Sequence, residues 1–231
     1  MIWSIVALNS LNAQDTVDFS TISDSIVDPK YREDQFYVSV TYNLLANKPN
    51  GVSQSGFSSG YHVGFIRDMP FNKRRNLAIG LGLGLSSNSF NQTLLISESS
   101  NGYNYTVLND DISYTKNKFT TYLIEFPFEF RWRTSTQKEY DFWRIYTGFK
   151  LGYVLYNSSK FIGRPDDIKL SNVNDFNEWQ LGLTLSAGYS NVNFHFYYAL
   201  NNIFDANAKL DANAVHVDMT AVKIGLIFYI L

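Results

Sequence analysis

The sequence predicts an all-β chain: an eight-stranded antiparallel up-and-down β-barrel of the transmembrane, outer-membrane type, with a filled lumen. Three observations carry that prediction. Apolar and polar residues alternate with a period of two in segment after segment, because successive side chains leave opposite faces of a strand. The apolar-face residues named below for the later strands include no charged residue. Short connections alternate with long ones, as in barrels that cross a bacterial outer membrane.

The clearest segment runs from Thr121 to Arg133. Tyr122, Ile124, Phe126, Phe128, Phe130 and Trp132 point one way. Thr121, Leu123, Glu125, Pro127, Glu129, Arg131 and Arg133 point the other. At roughly 9–11 residues per span, the segment is long enough to cross a bilayer as a tilted strand.

Composition narrows the classes. The 231 residues fit one domain, and aromatics reach 16% while charged residues stay at 17%. Mean hydropathy is slightly negative, at −0.17. No stretch approaches the 18 or so consecutive apolar residues of a helical span, a test that barrels escape because only alternate residues face lipid. The net charge of −2 argues for neither nucleic acid nor anionic lipid headgroups as partners. Without cysteine there is no disulfide, thiolate metal site or thiol redox chemistry.

Along the chain, residues 1–14 read as a signal peptide truncated at its start. Met1 to Leu8 is mostly apolar, small and polar residues follow to Gln14, and no basic residue precedes them. The alternative is a short buried strand. Residues 15–34 are polar and acidic and read as a periplasmic leader. The barrel domain is 35–231.

Its strands are predicted near 35–44, 57–67, 76–89, 119–133, 142–156, 177–189, 192–201 and 215–231. The third sets Leu77, Ile79, Leu81, Leu83 and Leu85 against Ala78, Gly80, Gly82, Gly84 and Ser86. The fifth sets Trp143, Ile145, Phe149, Leu151, Tyr153 and Leu155 against Arg144, Tyr146, Gly148, Lys150 and Gly152. The sixth sets Trp179, Leu181, Leu183, Leu185, Ala187 and Tyr189 against Gln180, Gly182, Thr184, Ser186 and Gly188. The seventh sets Val192, Phe194, Phe196, Tyr198 and Leu200 against Asn193, His195 and Tyr197. The eighth carries Val222, Ile224, Leu226, Phe228 and Ile230 on its apolar face.

Which face is inside decides the solvent. A soluble calyx would hide the apolar face; a membrane barrel turns it to lipid and keeps the polar face in the lumen. The glycine stripe Gly80-Gly82-Gly84 makes a poor solvent-exposed strand but suits a narrow interior that must admit large side chains. The membrane barrel is therefore the reading, with the soluble calyx as the alternative. Both termini then lie in the periplasm. The short turns at 68–76, 134–141 and 190–191 lie there too, with the long segments 90–118 and 157–176 outside. Eight strands leave no aqueous channel, so diffusive transport is disfavoured.

Several stretches resemble the PorT-type outer-membrane barrels of the Bacteroidota. These are Gln35–Leu45 (QFYVSVTYNLL), Gly51–Pro70 (GVSQSGFSSGYHVGFIRDMP), Asn76–Gly84 (NLAIGLGLG), Leu123–Ser135 (LIEFPFEFRWRTS) and Phe142–Val154 (FWRIYTGFKLGYV). The resemblance covers the chain from about Gln35 onward. It implies a role in the type IX protein secretion machinery, with gliding in some members; with the residues offering no catalytic site, the reading is a non-enzymatic component working through loop and turn contacts. The other functional class is a free-standing surface barrel for adhesion or envelope integrity.

No catalytic, cofactor or metal site is expected. His62 and His195 fall on the lumen parity with no carboxylate at ligand spacing in the sequence, and His216 is the third histidine. Ser186 lies opposite His195 across the 190–191 turn, but deep in the barrel. Gly80-x-Gly82-x-Gly84 is a strand stripe and not a phosphate loop, because no helix follows it. Lys73-Arg74-Arg75 reads as a solvated turn. A structural lumen network is expected from Glu125, Glu129, Arg131, Arg144, Lys150 and Lys223, because buried charges at this density must be paired. An aromatic girdle is expected from Trp132, Trp143 and Trp179. The short turn predicts that Glu125 pairs with Lys150, Glu129 with Tyr146, Arg131 with Arg144 and Trp132 with Trp143. The partners expected are outer-membrane lipid and secretion-system proteins, with no nucleic acid and no small-molecule substrate.

Overall fold

A computed structural model describes residues 34–100, 102–109, 111–134 and 142–230; the expected signal peptide and nearly all of the leader lie outside them. The strands are β1 (Gln35–Ala46), β2 (Ser59–Pro70), β3 (Leu77–Asn91), β4 (Leu94–Ser99), β5 (Gly102–Val107), β6 (Tyr114–Arg133), β7 (Trp143–Gly163), β8 (Ile168–Ser171), β9 (Trp179–Tyr189), β10 (Val192–Ala199) and β11 (Thr220–Ile230).

Eight of these close a barrel. The order is β6-β3-β2-β1-β11-β10-β9-β7, and β6 pairs with β7 to complete the ring. Every ladder is antiparallel. Closure matters because an unpaired strand edge cannot be hydrated within lipid. Phe36 pairs with Ile230, so the barrel begins and ends beside the three short turns.

The barrel is inside out by the standard of a soluble calyx. Phe65, Leu83, Phe130, Ile145, Leu183 and Phe194 stand exposed on the outer wall. The inward face holds Gln35, Ser39, Asn43, His62, Asp68, Glu125, Arg131, Lys150, Gln180 and Lys223, all buried. Exposed apolar side chains all round the wall far exceed the few hundred Å² tolerated in water, so the wall faces lipid. The buried state of the inward groups also means that side chains, and not a water column, fill the lumen.

Glycines make that filling possible. A Cβ on Gly80 would lie 2.6 Å from Nε of Arg131, and one on Gly84 would overlap the Tyr37 hydroxyl. Their stripe is the space that large inward side chains on β6 and β1 need.

The β6–β7 register differs from the expected one by two residues. Glu125 faces Gly152, Glu129 faces Gly148, Arg131 faces Tyr146 and Arg133 faces Arg144, while Trp132 faces Ile145. On its other side β6 sets Glu125 against Gly84 and Glu129 against Gly80. Each buried glutamate thus sits between two glycines. In a narrow lumen, bulk beside bulk would overpack the interior. A two-residue slip keeps every side chain on its face, so the alternation alone could not exclude it.

The long connections are also more ordered than expected. β6 already begins at Tyr114 and β7 runs on to Gly163, so strand pairing extends into both segments read as loops. β4 and β5 form a hairpin within 90–118, and β8 pairs with the outer end of β7. In contrast, residues 200–219, partly assigned above to strands, are irregular apart from isolated bridges.

Candidate functional site

Two regions concentrate chemistry: the lumen and the end of the barrel away from the termini. In the middle of the lumen, β6 carries Glu125 inward. Its carboxylate lies 3.1 Å from Nζ of Lys150 on β7 and 3.0 Å from Nδ1 of His62 on β2. Nε2 of His62 lies 3.5 Å from the Thr41 hydroxyl. One carboxylate therefore ties three strands together. A metal ion at His62 and Glu125 would be repelled by the Lys150 ammonium. The absence of a nearby carboxylate in the sequence was misleading, because Glu125 reaches His62 from 63 residues away.

Ser186 and His195 are cross-strand partners on β9 and β10, with Oγ 2.8 Å from Nδ1. Both are buried, so this dyad meets neither lipid nor bulk water. Lys223 lies inward on β11, its ammonium 4.6 Å above the Tyr197 ring.

Toward the turn end, Arg131 donates from Nε to Glu129 at 3.0 Å and from Nη1 to Asp68 at 3.2 Å. Arg133 grips Asp68 with two bonds of 2.9 Å, a bidentate fork. Asp68 was missed because the second strand was ended at Arg67; the period His62, Gly64, Ile66, Asp68 was the available signal. Arg144 does not join the carboxylates. Its guanidinium lies 4.4 Å over the Phe142 ring and 5.7 Å from that of Tyr229.

The three tryptophans stand on the outer wall, between 41% and 60% exposed. Trp132 and Trp143 lie at the neighbouring ends of β6 and β7, where Trp143 contacts Tyr189 with ring centroids 5.5 Å apart. Trp179 lies at the opposite end against Tyr153, at 4.8 Å. They therefore mark both edges of the lipid-facing band.

At the barrel end away from the termini, the long connections fold into a cap with its own apolar core. Phe119 packs against Phe90 at 5.0 Å and against Phe176 and Phe204 at 5.5 Å. Leu94, Ile96, Tyr105, Leu210, Val217 and Met219 complete it. Polar bonds lace the segments together. The Tyr105 hydroxyl donates to Asp175 at 2.9 Å, and the Thr106 hydroxyl to Asp211 at 2.7 Å. Asn177 donates to the carbonyls of Asn202 and Phe204. Burial first, and then the bond to Asp175, push the Tyr105 hydroxyl well above the ordinary phenol range. His216 stays outside this core, in an open cleft with Asp205 and Asp218. Sequence reasoning missed the cap. Its signal was the inward parity turning apolar at the outer strand ends, at Leu45, Phe90, Phe119, Ala199 and Ala221.

Comparison with a family model agrees with this geometry. A family model described as outer membrane protein beta-barrel domain matches residues 12–205. Among solved structures, the chain is similar to Ail, the attachment invasion locus protein of Yersinia pestis. The identity is 15% and the TM-score 0.35, over 86% of this chain and 99% of that one. No curated protein matches at a significant level.

Proposed function

This chain belongs to the outer membrane protein beta-barrel domain family, and from that premise we propose that it is a non-enzymatic component of the type IX protein secretion machinery. In this reading the termini and short turns face the periplasm and the cap faces outward. The observation that carries the reading is the filled lumen. With Tyr37, Glu125, Tyr146, Lys150, His195 and Tyr229 all buried, the interior offers no aqueous path. A barrel that conducts nothing acts through what it presents on its two sides. The stretches that resemble PorT-type barrels supply the direction, toward secretion. The burial of the Ser186–His195 dyad supports a non-enzymatic role, because no acyl group or water supply reaches it.

A clean deletion tests the proposal. Export of type IX cargo is expected to fail while permeability to small solutes stays unchanged. Normal cargo export would instead favour a free-standing surface barrel for adhesion or envelope integrity.

A further inference from the structure

The net charge of −2 conceals a local concentration of positive charge on the outer wall. Above the lipid-facing band, β6, β7 and β8 continue side by side, and their outward faces form three successive cross-strand rows. The lowest is aromatic: Tyr122 faces Tyr156, with ring centroids 5.8 Å apart. The next carries hydroxyls: Ser158 faces Ser171 on one side and the buried Thr120 on the other. The Tyr156 and Ser171 hydroxyls join these two rows by a 2.8 Å hydrogen bond. The third is cationic: Lys118 faces Lys160, and Lys160 faces Lys169. Lys116 follows two residues beyond Lys118 on the same strand.

Like charges directly opposite one another destabilise a sheet. Among the described residues, none of these four lysines forms an ion pair with a carboxylate. The lysines do point outward, since the alternate residues Asn117, Phe119, Ser159, Phe161 and Leu170 are buried.

The height of the rows says what meets them. From Trp132 to Tyr122, strand rise and tilt give about 25 Å, the apolar band of an outer-membrane barrel. Lys118 lies roughly 10 Å further along the barrel axis by the same measure. The headgroup layer of one leaflet is about 5–8 Å thick, and lysine stems bend toward it. The order of the rows, ring then hydroxyl then ammonium, matches the order of a lipid from acyl boundary through its polar linkage to its phosphate.

We propose that the face built by Tyr122, Tyr156, Ser158, Ser171, Lys118, Lys160 and Lys169 seats the phosphate headgroup of an anionic lipid in the outer leaflet. The cationic row then gains in the membrane the counter-charge that the described residues do not supply.

The test uses the full chain in mixed micelles of phosphatidylglycerol and phosphatidylcholine, with retained lipid counted by native mass spectrometry. The chain is expected to retain phosphatidylglycerol preferentially. Lys118→Gln/Lys160→Gln/Lys169→Gln is expected to lower that preference by about tenfold or more, with the heat stability of the folded barrel kept or raised. Lys118→Arg/Lys160→Arg/Lys169→Arg and the turn variant Lys73→Gln/Arg74→Gln are expected to keep it. Equal retention of the two lipids, or a preference that survives the glutamine triple, overturns the proposal. Loss of the preference in millimolar inorganic phosphate, at constant ionic strength set by chloride, makes this a free-anion site and overturns the lipid assignment.

Discussion

Glu125 and Lys150 meet at 3.1 Å although neither is the other's cross-strand partner. Glu125 faces Gly152 and Lys150 faces Pro127, so the ion pair runs diagonally across the ladder. Removing one member of a buried pair typically costs about 3–5 kcal/mol, whereas replacing both by apolar groups can be neutral. Glu125→Gln and Lys150→Met are each expected to lower the temperature at which the folded band disappears on a gel. The double variant is expected to recover part of the loss. Simple addition of the two effects would show that the charges do not cooperate.

The glycines facing the glutamates are not equivalent. A Cβ on Gly148 would run into the Phe128 carbonyl oxygen, part of the backbone. A Cβ on Gly152 would meet Cδ2 of Leu123 at 2.8 Å, the tip of a side chain that can turn away. Overpacking typically costs about 1–3 kcal/mol. Gly148→Ala is therefore expected to lie at or above that range and Gly152→Ala below it, read from the same gel midpoint. Equal effects would place the tightness elsewhere.

The cap is expected to loosen without the barrel. Phe119→Ala removes the ring on which Phe90, Phe176 and Phe204 converge, and truncations of this kind cost about 3–5 kcal/mol. Protease cleavage within 92–113 or 200–219 is expected to accelerate while the heat-resistant folded band persists. Loss of both together would mean that the two cores fold as one.

Alkaline pH is expected to open the same cap. The Tyr105 hydroxyl is held above its ordinary value by burial and by Asp175. An unfolded phenol ionises at about pH 10, the folded one later. The stabilisation from the neutral phenol is thus complete below about pH 10 and is lost as pH rises through the folded value. Protease resistance of the cap is expected to fall above that point and to fall less steeply in Tyr105→Phe. At neutral pH that variant gives up a hydrogen bond to a charged group, about 1.5–3 kcal/mol.

Topology has a direct test. Asn104, exposed on the β4–β5 hairpin, is replaced by cysteine in a chain that has none of its own. An impermeant thiol reagent is expected to label it on intact cells. Labelling only after outer-membrane rupture would invert the orientation.

The barrel was legible in the sequence because a period of two survives whatever the partner strand does. Phe126, Phe128 and Phe130 show which residues share a face without any knowledge of a neighbour. Partner choice is different. Glu125 against Gly152 and Glu125 against Lys150 leave every side chain on the same face. The Asp68–Arg133 fork spans 65 residues and the His62–Glu125 contact spans 63, separations over which no local pattern operates. The cap was least legible, since Phe176 and Phe204 come from irregular segments where no period marks a buried face.

The aromatic knot at the outer end also bears on how the barrel holds together in its membrane. Phe90, Phe119, Phe176 and Phe204 come from separate outer segments and meet only once those segments stand on the same side. Sliding any one of these segments along the barrel would pry apart the ring contacts of the others, so the knot ties separate crossings to one another as the head of a rivet holds its plates.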